Sequence, residues 1–183
     1  MDNTQGAVLL GLARHAIADR FCAQQAAPVI ADWLRVPGAT FVTLTQHGDL
    51  RGCIGSLQAH RPLHEDVQAN AQAAAFRDPR FPPLRVEELE LTRVEVSLLS
   101  PAQALSFGSE AEAIAQLQPG EDGLIFEVGH HRSTFLPQVW EQLPTAESFL
   151  AQLKRKAGLP ADFWSAEVRL SRYRVTKWKE PAR

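Results

Sequence analysis

Residues 91–100 read LTRVEVSLLS, and the alternation of this stretch decides the fold class. Val94, Val96 and Leu98 fall on one side of an extended chain, with Arg93, Glu95 and Ser97 on the other. A strand apolar on one face only belongs to an antiparallel or mixed sheet, because strands of an all-parallel sheet are apolar on both faces. Upstream, residues 78–84 (DPRFPPL) hold three prolines and are irregular. Before them Pro62 suits the first turn of a helix running to about Arg77. Leu63, Val67, Asn70, Ala71 and Ala74 share one face of it, and the run of alanines lets that face lie close to a sheet. Residues 39–46 (ATFVTLTQ) are rich in β-branched side chains and predict a strand. His47, Gly48 and Asp49 then turn the chain into a second strand over 50–57 (LRGCIGSL). A first helix is expected from about Asn3 to Gln25, with a stripe of Leu9, Ala13, Ile17 and Phe21.

Downstream, Ser109 followed by Glu112 is a capping box for a helix to about Leu117. Residues 119–123 read as a turn, 124–128 as a strand and 129–133 as another turn. A last helix runs from about Ala146 to Gly158, with Lys154, Arg155 and Lys156 placed against its C-terminal dipole. In the final strand the apolar positions are even at Val168 and Leu170 but odd at Tyr173 and Val175. A bulge or edge near Ser171 accounts for that change of side. Helices and strands do not alternate regularly enough for a doubly wound sheet. The expected class is α+β, a mainly antiparallel sheet flanked by helices.

The chain has 183 residues, 45% hydrophobic and 22% charged, long enough for a core without staples. Such a composition excludes collagen-like, disordered and disulfide-scaffold proteins. No apolar run approaches the roughly 18 residues of a membrane span, and the N-terminal segment does not read as a signal peptide. Cys22 and Cys53 fit a reducing compartment, so a cytoplasmic location is expected. Residues 154–183 carry nine basic groups against Asp162, Glu167 and Glu180, a surplus of six. The first 153 residues carry ten basic and eighteen acidic groups, so the whole chain has a net charge of -2. A basic end on an acidic body attracts an acidic partner or a phosphate backbone, or is simply a solvated face. Without interleaved aromatics it is a weak nucleic-acid signal.

Arg51, Gly52, Cys53, Ile54 and Gly55 form the most unusual local string. Two glycines around a cysteine can turn backbone amides toward one point, as in an anion nest, and an adjacent arginine favours a reactive thiolate. The other reading makes Cys53 a small buried hydrophobe and the glycines strand bulges. Asn70, on an apolar helix face, either pins a loop or points into a pocket. Asp78 and Arg80, two apart around a proline, fix their loop or present a guanidinium to an anion. Glu95 on a central strand calls for a partner, with Arg51, Arg80 and Arg93 as candidates. Metal binding has little support: His60 and His64 straddle a helix start, adjacent His130 and His131 should point apart, and Cys-x-x-Cys and His-Glu-x-x-His are missing. No glycine-rich phosphate loop or Gly-x-Ser-x-Gly elbow is present, so no cofactor is expected.

Taken in order, LRGCIGSL (50–57), NAQAAAF (70–76), DPRFPPL (78–84), VEVSL (94–98), GL (123–124), FLPQVW (135–140) and KAG (156–158) resemble the AMMECR domain family over residues 5–178. The resemblance implies one domain of two subdomains, an antiparallel sheet with helices and a smaller α/β subdomain packed beside it, with terminal tails at 1–4 and 179–183. It implies a cavity near the Arg51–Gly55 signature, which in an enzyme Asn70, Asp78, Arg80 and Glu95 would line or brace. Association with Memo-like and radical-SAM-type proteins, as in AmmeMemoRadiSam systems, is implied as well, but no reaction. Many relatives carry a cysteine in the segment before Lys-Ala-Gly, where this chain has Lys154 and Arg155, so Cys53 has no second thiol there. Three functions follow as expectations. The first is an accessory or adaptor component acting with those partners. The second is an enzyme with Cys53 as nucleophile in an anion-binding cleft, and the third is nucleic-acid binding through the basic end.

Overall fold

A computed structural model describes residues 3–21 and 29–181. The chain divides into two units, Met1–Leu99 with Thr176–Arg183, and Ser100–Val175. In the first, helix α1 (Asn3–Ala18) precedes strands β1 (Ala39–Gln46) and β2 (Asp49–Gly55), helix α2 (Leu63–Phe76) and strand β3 (Thr92–Leu99). The chain returns at its end to add β8 (Val175–Lys179), giving the sheet order β2-β1-β3-β8. β1 is antiparallel to both β2 and β3. His47 and Gly48 both take positive φ, the geometry that matches a two-residue hairpin turn to the twist of its strands. Leu9, Ala13 and Ile17 of α1 are buried as expected, and Leu12 and Ala16 join them. α1 ends at Ala18, short of the expected end, because residues 19–21 are turn; residues 22–25, with Cys22, lie outside the described residues.

All five residues of the expected α2 face are buried, together with Asp66 and Ala75. Val42, Leu44, Val94, Val96 and Leu98 meet the helices from the sheet. The alanines matter because α2 sits very close to β2. A Cβ on Gly52 would lie 2.2 Å from the carbonyl oxygen of Ala74, so only glycine fits there.

The second unit holds β4 (Gln103–Ala104), α3 (Glu110–Gln116), β5 (Gly123–Val128), β6 (His131–Phe135), α4 (Ala146–Lys156) and β7 (Arg169–Tyr173). Its antiparallel sheet runs β4-β7-β5-β6, which makes this unit α+β as well, not α/β. Leu124, Phe126, Phe149, Leu150, Leu153 and Leu170 form its core, with Trp140 stacked on Phe149 at 3.8 Å. Ser109 caps α3 by accepting the Glu112 amide, but the Glu112 carboxylate takes the Gly108 amide and not that of Ser109, so the box is shifted by one residue.

Three expectations need correction. Residues 129–133 are a turn only as far as His130; β6 then begins. Its inward residue Ser133 is polar, bonding to the Leu153 carbonyl, so no apolar alternation marks it. The change of side between Leu170 and Tyr173 falls inside β7 and is no bulge, since β7 pairs with β5 in unbroken register from Arg169 to Tyr173; the chain passes to β8, in the other sheet, only after that. Lys154 does not lie on the surface at the end of α4. It is fully buried, donating to Glu110 and to the Ala161 carbonyl (3.1 Å), with its ammonium 5.4 Å from the Trp164 ring centre. Glu110→Ala, which strands that ammonium, is expected to cost about 2–3 kcal/mol in guanidinium unfolding, whereas Lys154→Met stays within about 1 kcal/mol of the parent. Equal losses in both variants would count against an obligatory pair.

Candidate functional site

β2 carries the unusual string, and its pleat sorts the residues. Gly52 and Ile54 face the helices, while Arg51, Cys53 and Gly55 face the other way. Neither glycine has positive φ. The expected nest is therefore not formed: the glycines lie in an extended strand, and Gly52 is there for the approach of α2. The register of β1 on β2 shifts between Leu44 and Thr45, which leaves Arg51 as the extra residue.

Cys53 lies opposite Thr43, and its half-buried thiol is 3.2 Å from the Thr43 hydroxyl. As an edge strand, β2 turns the backbone N–H and C=O of Cys53 away from β1. Asp78 and Arg80 take the place of a neighbouring strand. The Asp78 carboxylate accepts the Cys53 amide at 2.9 Å, and the Arg80 guanidinium donates to the Cys53 carbonyl at 3.1 Å. The two side chains are joined by hydrogen bonds of 2.9 and 2.7 Å. Asp78 and Arg80 thus fix the strand as well as their own loop.

Arg51 is joined to Glu88 by two hydrogen bonds, 2.9 and 3.2 Å, and Gln46 donates to the same carboxylate. Phe81 has the guanidinium carbons of Arg51 and Arg80 at 5.9 and 5.5 Å from its ring centre. The Arg51 hydrogen bonds push the Glu88 carboxyl down to about 2. The Arg80 side chain likewise holds Asp78 well below the ordinary carboxylate range. A carboxyl depressed by folding contributes stability that is complete above its unfolded value and is lost as pH falls through the folded one. Denaturant midpoints should therefore drop between about pH 4.5 and pH 2 as Glu88 takes its proton, with the Asp78 share persisting to lower pH. Glu88→Gln should flatten that decline; an unchanged profile would remove Glu88 as its source.

Asn70 is fixed by a separate knot. Its amide donates to the Thr40 carbonyl and to Asp66 at 3.0 Å, and Arg61 reaches its oxygen at 3.3 Å. Asp66, fully buried, also accepts from Thr40, Ser56 and Arg61. Asn70 is thus a pin between α2 and the sheet, remote in bonding from Cys53. The sequence reading missed Asp66, Thr40, Ser56 and Arg61, as well as Phe81 and Glu88. Asp66 had a signal, standing one helical turn before Asn70 on the same face. Glu95 is on β3 opposite Thr43, on the Cys53 face, but bonds none of the three expected arginines. Arg51 goes to Glu88, Arg80 to Asp78, and Arg93 to the Glu180 carbonyl.

Among the described residues no group of three His, Cys, Asp or Glu side chains is arranged to hold a metal. His130 and His131 do not diverge as expected; their rings lie 4.3 Å apart. The basic end is partly neutralised. Arg174 pairs with Glu121 at 2.6 Å, Arg172 approaches Asp122 at 4.0 Å, and Lys154 is buried on Glu110. No helix of the described residues is long and apolar enough to cross a membrane. The second unit has an open groove of about 550 Å³ along Leu105, Phe107, Val168 and Ser171, with Glu127 and Arg169 as its charged residues.

The model of the AMMECR1 family matches residues 10–178 of this chain. The chain belongs to the AMMECR1 family. A protein of Methanothermobacter thermautotrophicus is 37% identical, over 98% of this chain and 96% of its own length. A Methanocaldococcus jannaschii protein is 40% identical over 76% of this chain and 72% of its own. The crystal structure of an uncharacterized Pyrococcus horikoshii protein is similar at a TM-score of 0.80 and 33% identity, covering 98% of this chain and 93% of that one. The fold is thus shared with that Pyrococcus horikoshii protein over nearly the whole of both chains.

Proposed function

We propose that this AMMECR1-family chain is an accessory component that docks a Memo-like or radical-SAM-type protein through the face carried by β2. One observation carries the reading: the charged side chains at β2 and the loop beside it are bonded to one another within the fold, with Arg51 Nη1 alone left buried and without a partner among them. Arg51 is paired with Glu88, and Asp78 with Arg80, which also holds the Cys53 backbone. Paired charges of this kind rigidify a surface and do not wait for a substrate anion. The resemblance supplies the partner classes. Mixing the purified chain with Memo-like and radical-SAM-type proteins of the same source, followed by analytical ultracentrifugation, tests it. A complex with either supports the reading, and no complex with either overturns it.

A second reading, an enzyme with Cys53 as nucleophile, is favoured by the free thiol, half-buried and held against the Thr43 hydroxyl. The two readings separate on Cys53→Ser. Under the docking reading this variant keeps its partner affinity within about threefold, because a neutral isostere changes little at a packed surface. An acid-stable adduct on Cys53, seen by intact mass in protein taken from its own cell, would instead favour the enzyme. Nucleic-acid binding finds less support, since Arg172, Arg174 and Lys154 already have acidic neighbours.

A further inference from the structure

Four strands lie at sheet edges, β2 and β8 in the first unit and β4 and β6 in the second. An edge strand presents a row of unpaired N–H and C=O groups on which another chain can pair, so folded proteins protect such rows. β4 is only two residues long. β6 has the Lys156 ammonium on its Thr134 carbonyl at 2.8 Å, and β8 carries exposed Lys177 and Lys179. β2 is the longest of the four, seven residues reading DLRGCIG, with neither lysine nor proline. Its protection comes from another part of the chain.

Asp78 and Arg80 occupy the outer rung of Cys53. The carboxylate takes the amide and the guanidinium takes the carbonyl, as the two main-chain groups of a neighbouring strand would. The Asp78 side chain is 1% exposed and that of Arg80 52%, so a sealed acceptor is backed by a solvated donor. Their loop is stiff, because Pro79, Pro82 and Pro83 each fix a φ and the Leu84 amide is tied to the Ala75 carbonyl at 2.8 Å. Unlike a strand, the pair fills one rung and presents no second row of main-chain groups beyond it.

We propose that the Asp78–Arg80 pair is an edge guard, which keeps the outer rung of Cys53 closed to strand addition by a second copy of this chain. A second copy is the occupant that the geometry favours. In an antiparallel hydrogen-bonded pair the two opposed residues exchange both of their N–H···O bonds. Cys53 turns both groups outward, so Cys53 of another copy, related by a two-fold axis, is its complement. The guard does not rest on the docking function proposed above, since it concerns the edge of β2 and not its face.

Strand addition of this kind sets the two Cys53 Cα atoms about 5.5 Å apart with their side chains on one face, inside the roughly 4.4–6.8 Å that a disulfide spans. The test uses the full chain with Cys22→Ser as parent, which leaves Cys53 as its one thiol. Asp78→Ala and Arg80→Ala are introduced together, because removing both members strands no buried charge. In the ultracentrifuge the folded double variant should have twice the mass of the parent. Diamide, which takes one hydrogen from each of two thiols and is itself reduced to the hydrazine, should join the double variant through Cys53 and leave the parent unjoined. Adding Cys53→Pro, which deletes the outward N–H, should return the double variant to the parent's mass. A folded double variant with the parent's mass and no crosslink overturns the proposal, as does association that survives Cys53→Pro. Should the double variant fail to fold, Arg80→Ala alone decides, since it uncovers the Cys53 carbonyl at a half-exposed position. Crosslinking several-fold faster than in the parent then supports the guard, and an equal rate overturns it.

Discussion

Asp66→Ala is expected to lower the stability of the first unit by about 3–5 kcal/mol, because the change removes the acceptor of a fully buried knot. Asp66 accepts from the Thr40 amide and hydroxyl at 2.8 and 2.7 Å, from Ser56 at 2.7 Å, from Arg61 at 2.8 Å and from Asn70 at 3.0 Å. Alanine leaves these donors facing a void. The Arg61 side chain is partly exposed and can swing toward water, but the Thr40 amide is sealed between α2 and the sheet. Asn70→Ala should cost less, about 1–2 kcal/mol, since Asp66 keeps its other four donors. Asp66→Asn should fall between, retaining the shape and losing the charge that Arg61 neutralises. The measurement is guanidinium-dependent exchange of the Thr40 and Val42 amides, which reports on this unit directly. An Asp66→Ala protein within 1 kcal/mol of the parent would show that water or a rearranged Arg61 replaces the carboxylate.

Most elements were legible because their signals are local. The alternation in β3, the buried face of α2, the Ser109 cap and the glycine that ends α4 at Gly158 each lie within a few residues of one another. Where the signal was tertiary, the reading went astray. β6 shows no apolar period because its inward Ser133 is satisfied by a carbonyl twenty residues away in sequence. The parity change between Leu170 and Tyr173 was visible, but that both lie in one regular strand, and that the chain changes sheets only after Tyr173, depends on which strands lie alongside. Gly52 was read as a source of backbone freedom, whereas its role is fixed by Ala74 on another element.

The candidate site follows the same rule. Arg51, Asn70, Asp78 and Arg80 stood out in the sequence, but whom they pair with was not readable there. Arg51 finds Glu88 at a separation of 37 residues, and Asn70 finds Thr40 at 30. Asp78 and Arg80 pair locally, as the two-residue spacing suggested, yet their effect on Cys53 comes from the chain being an edge strand at that point. Glu95 is informative because the expected pairing fails: Arg51 bonds Glu88, Arg80 bonds Asp78, and Arg93 donates to the Glu180 carbonyl.

Ending the chain at Val175 is expected to unfold the first unit outright. The removed residues supply nearly all of β8, which flanks β3 in the sheet. They also supply Trp178, which packs against α1 at Gly6 and belongs to the apolar cluster of this unit. Glu180, which the sequence placed in a tail, is a hub. Its carboxylate accepts from Arg14 and from the Val94 amide at 2.9 Å, its own amide donates to the Val94 carbonyl at 3.0 Å, and its carbonyl receives Arg93. Loss of a largely buried tryptophan costs about 3–5 kcal/mol, and each stranded charged donor adds about 1–3 kcal/mol. That sum rivals the 5–15 kcal/mol total of an ordinary domain. Single changes should be graded: Trp178→Ala severe, and Glu180→Gln about 1–3 kcal/mol, because Arg14 is partly exposed and regains water. Exchange of the Val94 and Val96 amides decides it. If both stay protected in the truncated chain, β8 is an accessory strand and β3 is held by β1 alone; if both exchange at the rate of an unfolded chain, the last residues complete a unit that the first 99 cannot form without them.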